Sequence, residues 1–214
     1  MLFIFDFDGT IAESAPGVLR SCQYAMVKMG YPEPRYEDLG PFMGPPLNYS
    51  FHTMFGLSWE DAAKAVSFFR ERYVAKGMRE CCAYPGIPEL LERVQKAGHT
   101  SAIASAKPEV FVREILADFG ILEHFDVVIG ASMDETETDK AANIRRVIRL
   151  AGFEDRMDEV VMIGDRLYDI EGAKEVGAAS VGVLYGYGSR EELEGAGSDR
   201  IAATVEELGE ILLA

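Results

Sequence analysis

A chain of 214 residues, 48% apolar and 27% charged, has ordinary globular composition, enough for one domain or a core with a smaller insert, and excludes extended disorder. Its 36 acids against 21 bases give a formal net charge of −15, which argues against a nucleic-acid polymer as partner, since such binding needs clustered Lys and Arg to displace counterions. No stretch reaches the ~20 apolar residues of a membrane span. Cys22, Cys81 and Cys82 supply neither a disulfide framework nor zinc-ligand spacing, and neighbouring cysteines bridge only with strain; a reducing, cytoplasmic setting is expected.

In chain order, Met1–Phe5 is an apolar run interrupted by Asp6. It has no basic leader and reads as a buried strand rather than a signal peptide. From Glu13 to about Arg79 the pattern is helical. Val18, Leu19, Cys22, Tyr24, Ala25, Val27 and Met29 recur near a 3.6 period until Gly30 and Pro32 stop it. A Pro/Gly-rich interval follows. A second helix opens at Ser58, with Glu60 and Asp61 in its first turn and an apolar stripe of Ala62, Ala65, Val66, Phe69 and Tyr73.

From Tyr84 the rhythm becomes alternating helix and strand. Helices are expected at 88–98, 109–119, 140–151, 169–176 and 204–213, and strands at 100–105, 125–130, 159–164 and 179–184. Repeated βα units predict an α/β fold, a Rossmann-like doubly wound parallel sheet with helices on both faces. Residues 1–14 and 84–214 are expected to form this discontinuous core, and 15–83 a small all-α insert.

Ligands of open α/β sheets sit beyond the carboxyl ends of the strands. That rim collects Asp6 and Asp8 after the first strand, Ser105 and Lys107 after the second, and Asp165 and Asp169 after the fourth. Lys140 opens the helix after the third. Four carboxylates and one ammonium leave three negative charges in excess, and unit charges ~4 Å apart interact by ~4 kcal/mol at an effective dielectric of 20. An anionic reactant therefore needs a divalent cation here, and an all-oxygen donor set suits Mg2+.

This set resembles the haloacid dehalogenase superfamily over nearly the whole chain. DFDGT at 6–10 is similar to its first motif, Ser105 to the second, Lys140 to the third and GDRLYD at 164–169 to the fourth. The helical insert, together with FMGPPLNYSF, YPGI at 84–87, ASAKP at 104–108 and GYGS at 186–189, resembles a branch known both as phosphoglycolate phosphatase and as 5′-nucleotidase. Ala106 departs from the Asn or Ser usual at its position in that branch. The resemblance implies a Mg2+-dependent phosphatase with a helical cap, acting on a small phosphorylated metabolite as monomer or homodimer.

The roles then divide. Asp6 attacks phosphorus and becomes the acyl-phosphate, while Asp8 protonates the leaving group and later activates water. Ser105, Ala106, Lys140 and the backbone of Gly9 and Thr10 are expected to meet the phosphate. The metal falls to Asp6, Asp165 and Asp169 and, as the family implies, the backbone carbonyl of Asp8.

Other readings weigh less. Asp8 opposes a dehalogenase and a phosphonate-cleaving enzyme, and the layout opposes a phospho-acceptor signalling domain. The full acid set opposes a catalytically dead binding protein. A hexose-phosphate mutase stays open. Lys107 matches a Lys-Pro pair of that branch, with a surface lysine weighing nearly as much, and Asp134, Glu135, Glu137 and Asp139 read as a solvated loop. Arg70, Arg72, Lys76 and Arg79 read mostly as solvent-facing, and Phe68–Phe69 as insert core. His52, His99 and His124 are scattered and suggest no shared metal site.

Overall fold

A computed structural model of the chain describes residues 1–133 and 139–214. It divides into two compact units, one of residues 1–13 and 83–214 and the other of residues 14–82.

The first unit is α/β. Its strands are β1 (Leu2–Phe5), β4 (Thr100–Pro108), β5 (Val127–Ala131), β6 (Val160–Gly164), β7 (Ala179–Val183) and β8 (Arg200–Ala202); the short β2 (Ala12–Glu13) and β3 (Cys82–Ala83) pair separately. The main sheet runs β5-β4-β1-β6-β7-β8 with every neighbouring pair parallel, which makes it Rossmann-like and doubly wound. β1 and β6 are buried along their whole length, as strands covered on both faces must be, and their continuous apolar runs reflect this.

Side-chain alternation divides β1 between the two faces. Leu2 and Ile4 join a core with Ile144, Val147 and Ile148 of α6 (Lys140–Ala151) and Ala173 of α7 (Leu167–Val176). Phe3 and Phe5 instead meet His99 and Phe125 edge-on. Helices α4 (Ile87–Lys96) and α5 (Glu109–Asp118) pack against β4, and α9 (Val205–Leu212) against β8. A seven-residue helix, α8 (Arg190–Ala196), lies between β7 and β8.

The second unit is helical: α1 (Ala15–Lys28), α2 (Leu47–Phe55) and α3 (Trp59–Ala75), with 3-10 turns at Tyr36–Phe42 and Gly77–Arg79. Ser58 caps α3 by accepting from the Asp61 amide, and all five stripe residues of α3 are buried. In α1 the expected stripe is only partly inward: Val18, Leu19, Cys22 and Ala25 are buried, whereas Val27 is exposed and Ser21 and Met26 take inward places instead. Phe42 meets Phe51 edge-on, and Phe69 stacks on Tyr73.

Arg72 corrects the solvent-facing expectation. It is largely buried and grips Glu80 through both terminal nitrogens, at 2.8 and 3.0 Å, with Ser21 Oγ at 3.2 Å. An arginine this buried needs a planar, bidentate partner, and Glu80 is eight residues away.

The three cysteines are free thiols. No helix among the described residues is long and apolar enough to cross a membrane.

Candidate active site

β1 and β6 flank the point where the strand order reverses, the crevice where open α/β sheets bind their ligands. Phe5 pairs with Ile163, and the Asp6 amide donates to Ile163 O at 2.8 Å, so the ladder carries Asp6 one residue beyond the strand, next to the end of β6. There Asp165 follows Gly164. Asp169 sits in the first turn of α7, and its Oδ2 accepts from the Arg166 amide at 3.1 Å. It is thus both a cap and a site acid, because its other oxygen points inward. Carboxylate oxygens of Asp6, Asp165 and Asp169 lie within 4.8 Å of one another.

Lys140 is drawn into this group from the first turn of α6. Its ammonium lies 2.8 Å from Asp6 Oδ1, 2.8 Å from Asp169 Oδ1, and donates to Ala104 O at 3.0 Å. One turn later Asn143 Nδ2 donates to Ser105 O at 3.0 Å. Residues three apart share a helix face, so one turn of α6 holds the end of β4 twice. Asp139 caps this helix through the Ala142 amide; Asp134, Glu135 and Glu137 lie outside the described residues.

On the other side of β1, Lys107 reaches Asp8 with both oxygens in range, at 2.9 and 3.1 Å. Its side chain is 7% exposed, so the surface-lysine reading is corrected: a nearly buried ammonium must be paired, and Asp8 is its partner. Ser105 is buried and its Oγ accepts from the Lys107 amide at 3.2 Å; Ala106 lies between them, where β4 shifts register against β5.

Gly9 and Thr10 differ from expectation. The Gly9 amide donates to Ala12 O at 2.9 Å and that of Thr10 to Phe7 O at 3.4 Å, so both close the loop on itself instead of facing a ligand. Thr10 is fully buried; its hydroxyl makes a long contact of 3.3 Å to Asp165 Oδ1, and its carbonyl accepts from Tyr185 OH at 3.2 Å. Gly9 has φ +84, and a Cβ there would run into the Asp165 carboxylate. The loop is tight because Asp165 lies directly beneath it. The Tyr187 amide, from GYGS, donates to Asp165 Oδ2 at 2.8 Å.

Burial dominates the electrostatics. It pushes the Asp6 carboxyl up to about 6, against the pull of Lys140 and helped by Asp169 and Asp8. Asp165 is raised well above the carboxylate range by burial, then by Asp169 and Asp6. Burial opposes the Lys140 charge, but Asp169 and Asp6 outweigh it and hold the ammonium above the usual lysine range. Counting Lys107 leaves two negative charges in excess.

A hard divalent cation fits these residues. The inner oxygens of Asp6 and Asp169 are buried, and although Lys140 is close, neither receives an aligned hydrogen bond. Three clustered carboxylates against one ammonium keep spare oxygen donors, the donor set Mg2+ takes. The histidines have separate partners: His52 Nδ1 donates to Leu57 O and its ring stacks on Trp59, His99 meets Phe3, and His124 lies 3.1 Å from Gln95 Oε1.

The pattern of the haloacid dehalogenase-like hydrolases matches residues 3–183. The chain belongs to this family. A 5′-nucleotidase of Pseudomonas aeruginosa is 38% identical, the match covering 98% of this chain and 94% of the relative. A tyrosine-protein kinase PtkA of Mycobacterium tuberculosis is 35% identical over 99% of this chain and 72% of the relative. A phosphoglycolate phosphatase of Vibrio parahaemolyticus is 31% identical over 99% and 95%. The crystal structure of a predicted phosphatase from Clostridium acetobutylicum has a TM-score of 0.94 and 36% identity, over 99% of this chain and 97% of that one. This hydrolase therefore bears out the family, and the two branch names, that its motifs suggested.

Sequence reasoning underweighted Lys107 and missed Asn143 and the Tyr187 amide. Asn143 was signalled by its spacing of three from Lys140. The backbone donor of Tyr187 left no side-chain signal, since any residue supplies an amide.

Proposed function

We propose that this hydrolase is a Mg2+-dependent phosphatase that cleaves a small phosphate monoester, a 5′-nucleotide or phosphoglycolate, through an aspartyl-phosphate on Asp6. The reading is carried by one observation: Asp6, Asp165 and Asp169 share a space 4.8 Å across, with the Lys140 ammonium bridging Asp6 and Asp169. Mg2+ held by those carboxylates, with the Asp8 carbonyl as the family implies, supplies the positive charge that lets a carboxylate approach a phosphate.

The rest falls to this chain. An Asp6 oxygen attacks phosphorus; the bond to the ester oxygen breaks, its electron pair leaves with that oxygen, and Asp8 delivers the proton that makes it an alcohol. Water then attacks the same phosphorus, Asp8 takes its proton, and Asp6 leaves as carboxylate with release of phosphate. Lys140 offsets the charge of Asp6 throughout. Ser105 and Ala106 border the phosphate position from β4. The helical unit serves as the cap whose side chains select the substrate.

Hydrolysis of p-nitrophenyl phosphate tests this reading. It is expected to require Mg2+, to vanish with chelator, and to fall by at least ~10³-fold in Asp6→Asn with an unchanged circular dichroism spectrum. Full activity in Asp6→Asn, or in chelator, would overturn it. A screen of nucleoside monophosphates, phosphoglycolate and sugar phosphates identifies the substrate.

A further inference from the structure

Asp8 has to serve two positions in turn, first the leaving oxygen and then the attacking water, so its carboxylate must be held. The hold comes from Lys107. The two Asp8 oxygens lie 2.9 and 3.1 Å from one ammonium, so a single point charge straddles the carboxylate and favours the orientation that keeps both oxygens within its reach. The lysine is itself constrained. Its side chain is 7% exposed and its ammonium lies 5.6 Å from the Phe7 ring centroid.

The backbone beneath it is fixed too. β4 shifts register between Ala104 and Pro108, an irregularity of the kind that re-aims a side chain beside an active site. The Ser105 hydroxyl accepts from the Lys107 amide within this segment. β5 lies so close that a Cβ on Gly130 would collide with the Lys107 carbonyl and the Glu109 backbone. The two lysines thus divide the acids between them: Lys140 holds Asp6 and Asp169, and Lys107 holds Asp8.

We propose that Lys107 is the positioning residue of the general acid–base Asp8, acting on catalysis through that carboxylate and not through the substrate. The proposal rests on the phosphatase reading above.

Its test compares Lys107→Met, Lys107→Arg, Asp8→Asn and the Lys107→Met/Asp8→Asn double variant. The substrates are p-nitrophenyl phosphate, whose leaving group departs without a proton, and an alkyl phosphate, whose leaving group needs one. Displacing a catalytic group by about 1 Å can lower a rate ~10²-fold. Lys107→Met should therefore lower kcat for the alkyl ester by roughly ten- to a hundredfold, leave KM within about twofold, and affect p-nitrophenyl phosphate less. Lys107→Arg should recover part of the loss. The double variant should be no slower than Asp8→Asn alone, because the lysine has nothing left to position.

Equal losses on both substrates, multiplied losses in the double variant, or a rise in KM at unchanged kcat would each overturn the proposal. If Lys107→Met does not fold, Lys107→Gln is read in the same way. A wild type without Mg2+-dependent hydrolysis refutes the phosphatase reading, whereas an active wild type matched by Lys107→Met refutes this inference alone.

Discussion

At Lys140 a single ammonium faces two buried carboxylates, with a third acid, Asp165, within the same 4.8 Å cluster. Removing one member of a buried ion pair leaves charge without compensation, typically 3–5 kcal/mol of destabilisation. Lys140→Met should accordingly lower unfolding stability by about 3 kcal/mol in metal-free protein, read from urea denaturation. With Mg2+ present the loss should shrink, because the cation offsets the same carboxylates; an identical loss in both conditions would count against a common site. The seven site side chains were visible as residue types at strand and helix ends. Their pairing was not. A surface reading of Lys107 weighed nearly as much as its Lys-Pro match because nothing local marks its burial, which arises only where β1 and β4 lie side by side.

Among the elements, α3 and α6 were legible from local chemistry: a Ser58 cap with acids behind it, and an amphipathic run from Lys140 to Ala151. α2, α8 and β8 were not. Their nine, seven and three residues are too few to display a period, so packing decides their form. Arg72 and Glu80 tie the end of α3 to the turn that follows it. Arg72, bonding Glu80, holds its carboxyl below its ordinary value of 4.5 against the opposing effect of burial, with Arg20 adding to the pull. A depressed folded pKa contributes stability above the unfolded value and loses it as pH falls through the folded one. Glu80→Gln should therefore be less stable than wild type by about 1 kcal/mol at pH 7, with the gap closing as pH falls through the lowered folded-state value of Glu80. Thermal melts across an acid pH series measure this; a constant gap would mean the charge is not involved.

For the whole molecule, a net charge of −15 surrounds a site proposed to bind a cation and an anion together. A ligand at a hundred times its dissociation constant stabilises the folded state by ~2.7 kcal/mol. For a chain of this size that is a Tm rise of roughly 5–11 °C. Mg2+ should produce it, and NaCl at equal ionic strength should not. Asp165→Asn should abolish the shift; its persistence would place the ion elsewhere.

The amino-acid order alone determined the alternation that makes a parallel sheet, the acids that end β1 and β6, and the family to which the chain belongs. These are local or periodic properties, written in neighbouring residues. Tertiary structure decided which lysine serves which carboxylate, and turned the Gly9 and Thr10 amides back into their own loop. Such outcomes depend on β1 meeting β4 and β6, whose partner residues lie roughly 100 and 160 positions further along the chain, where burial and charge act through space and spacing carries no signal.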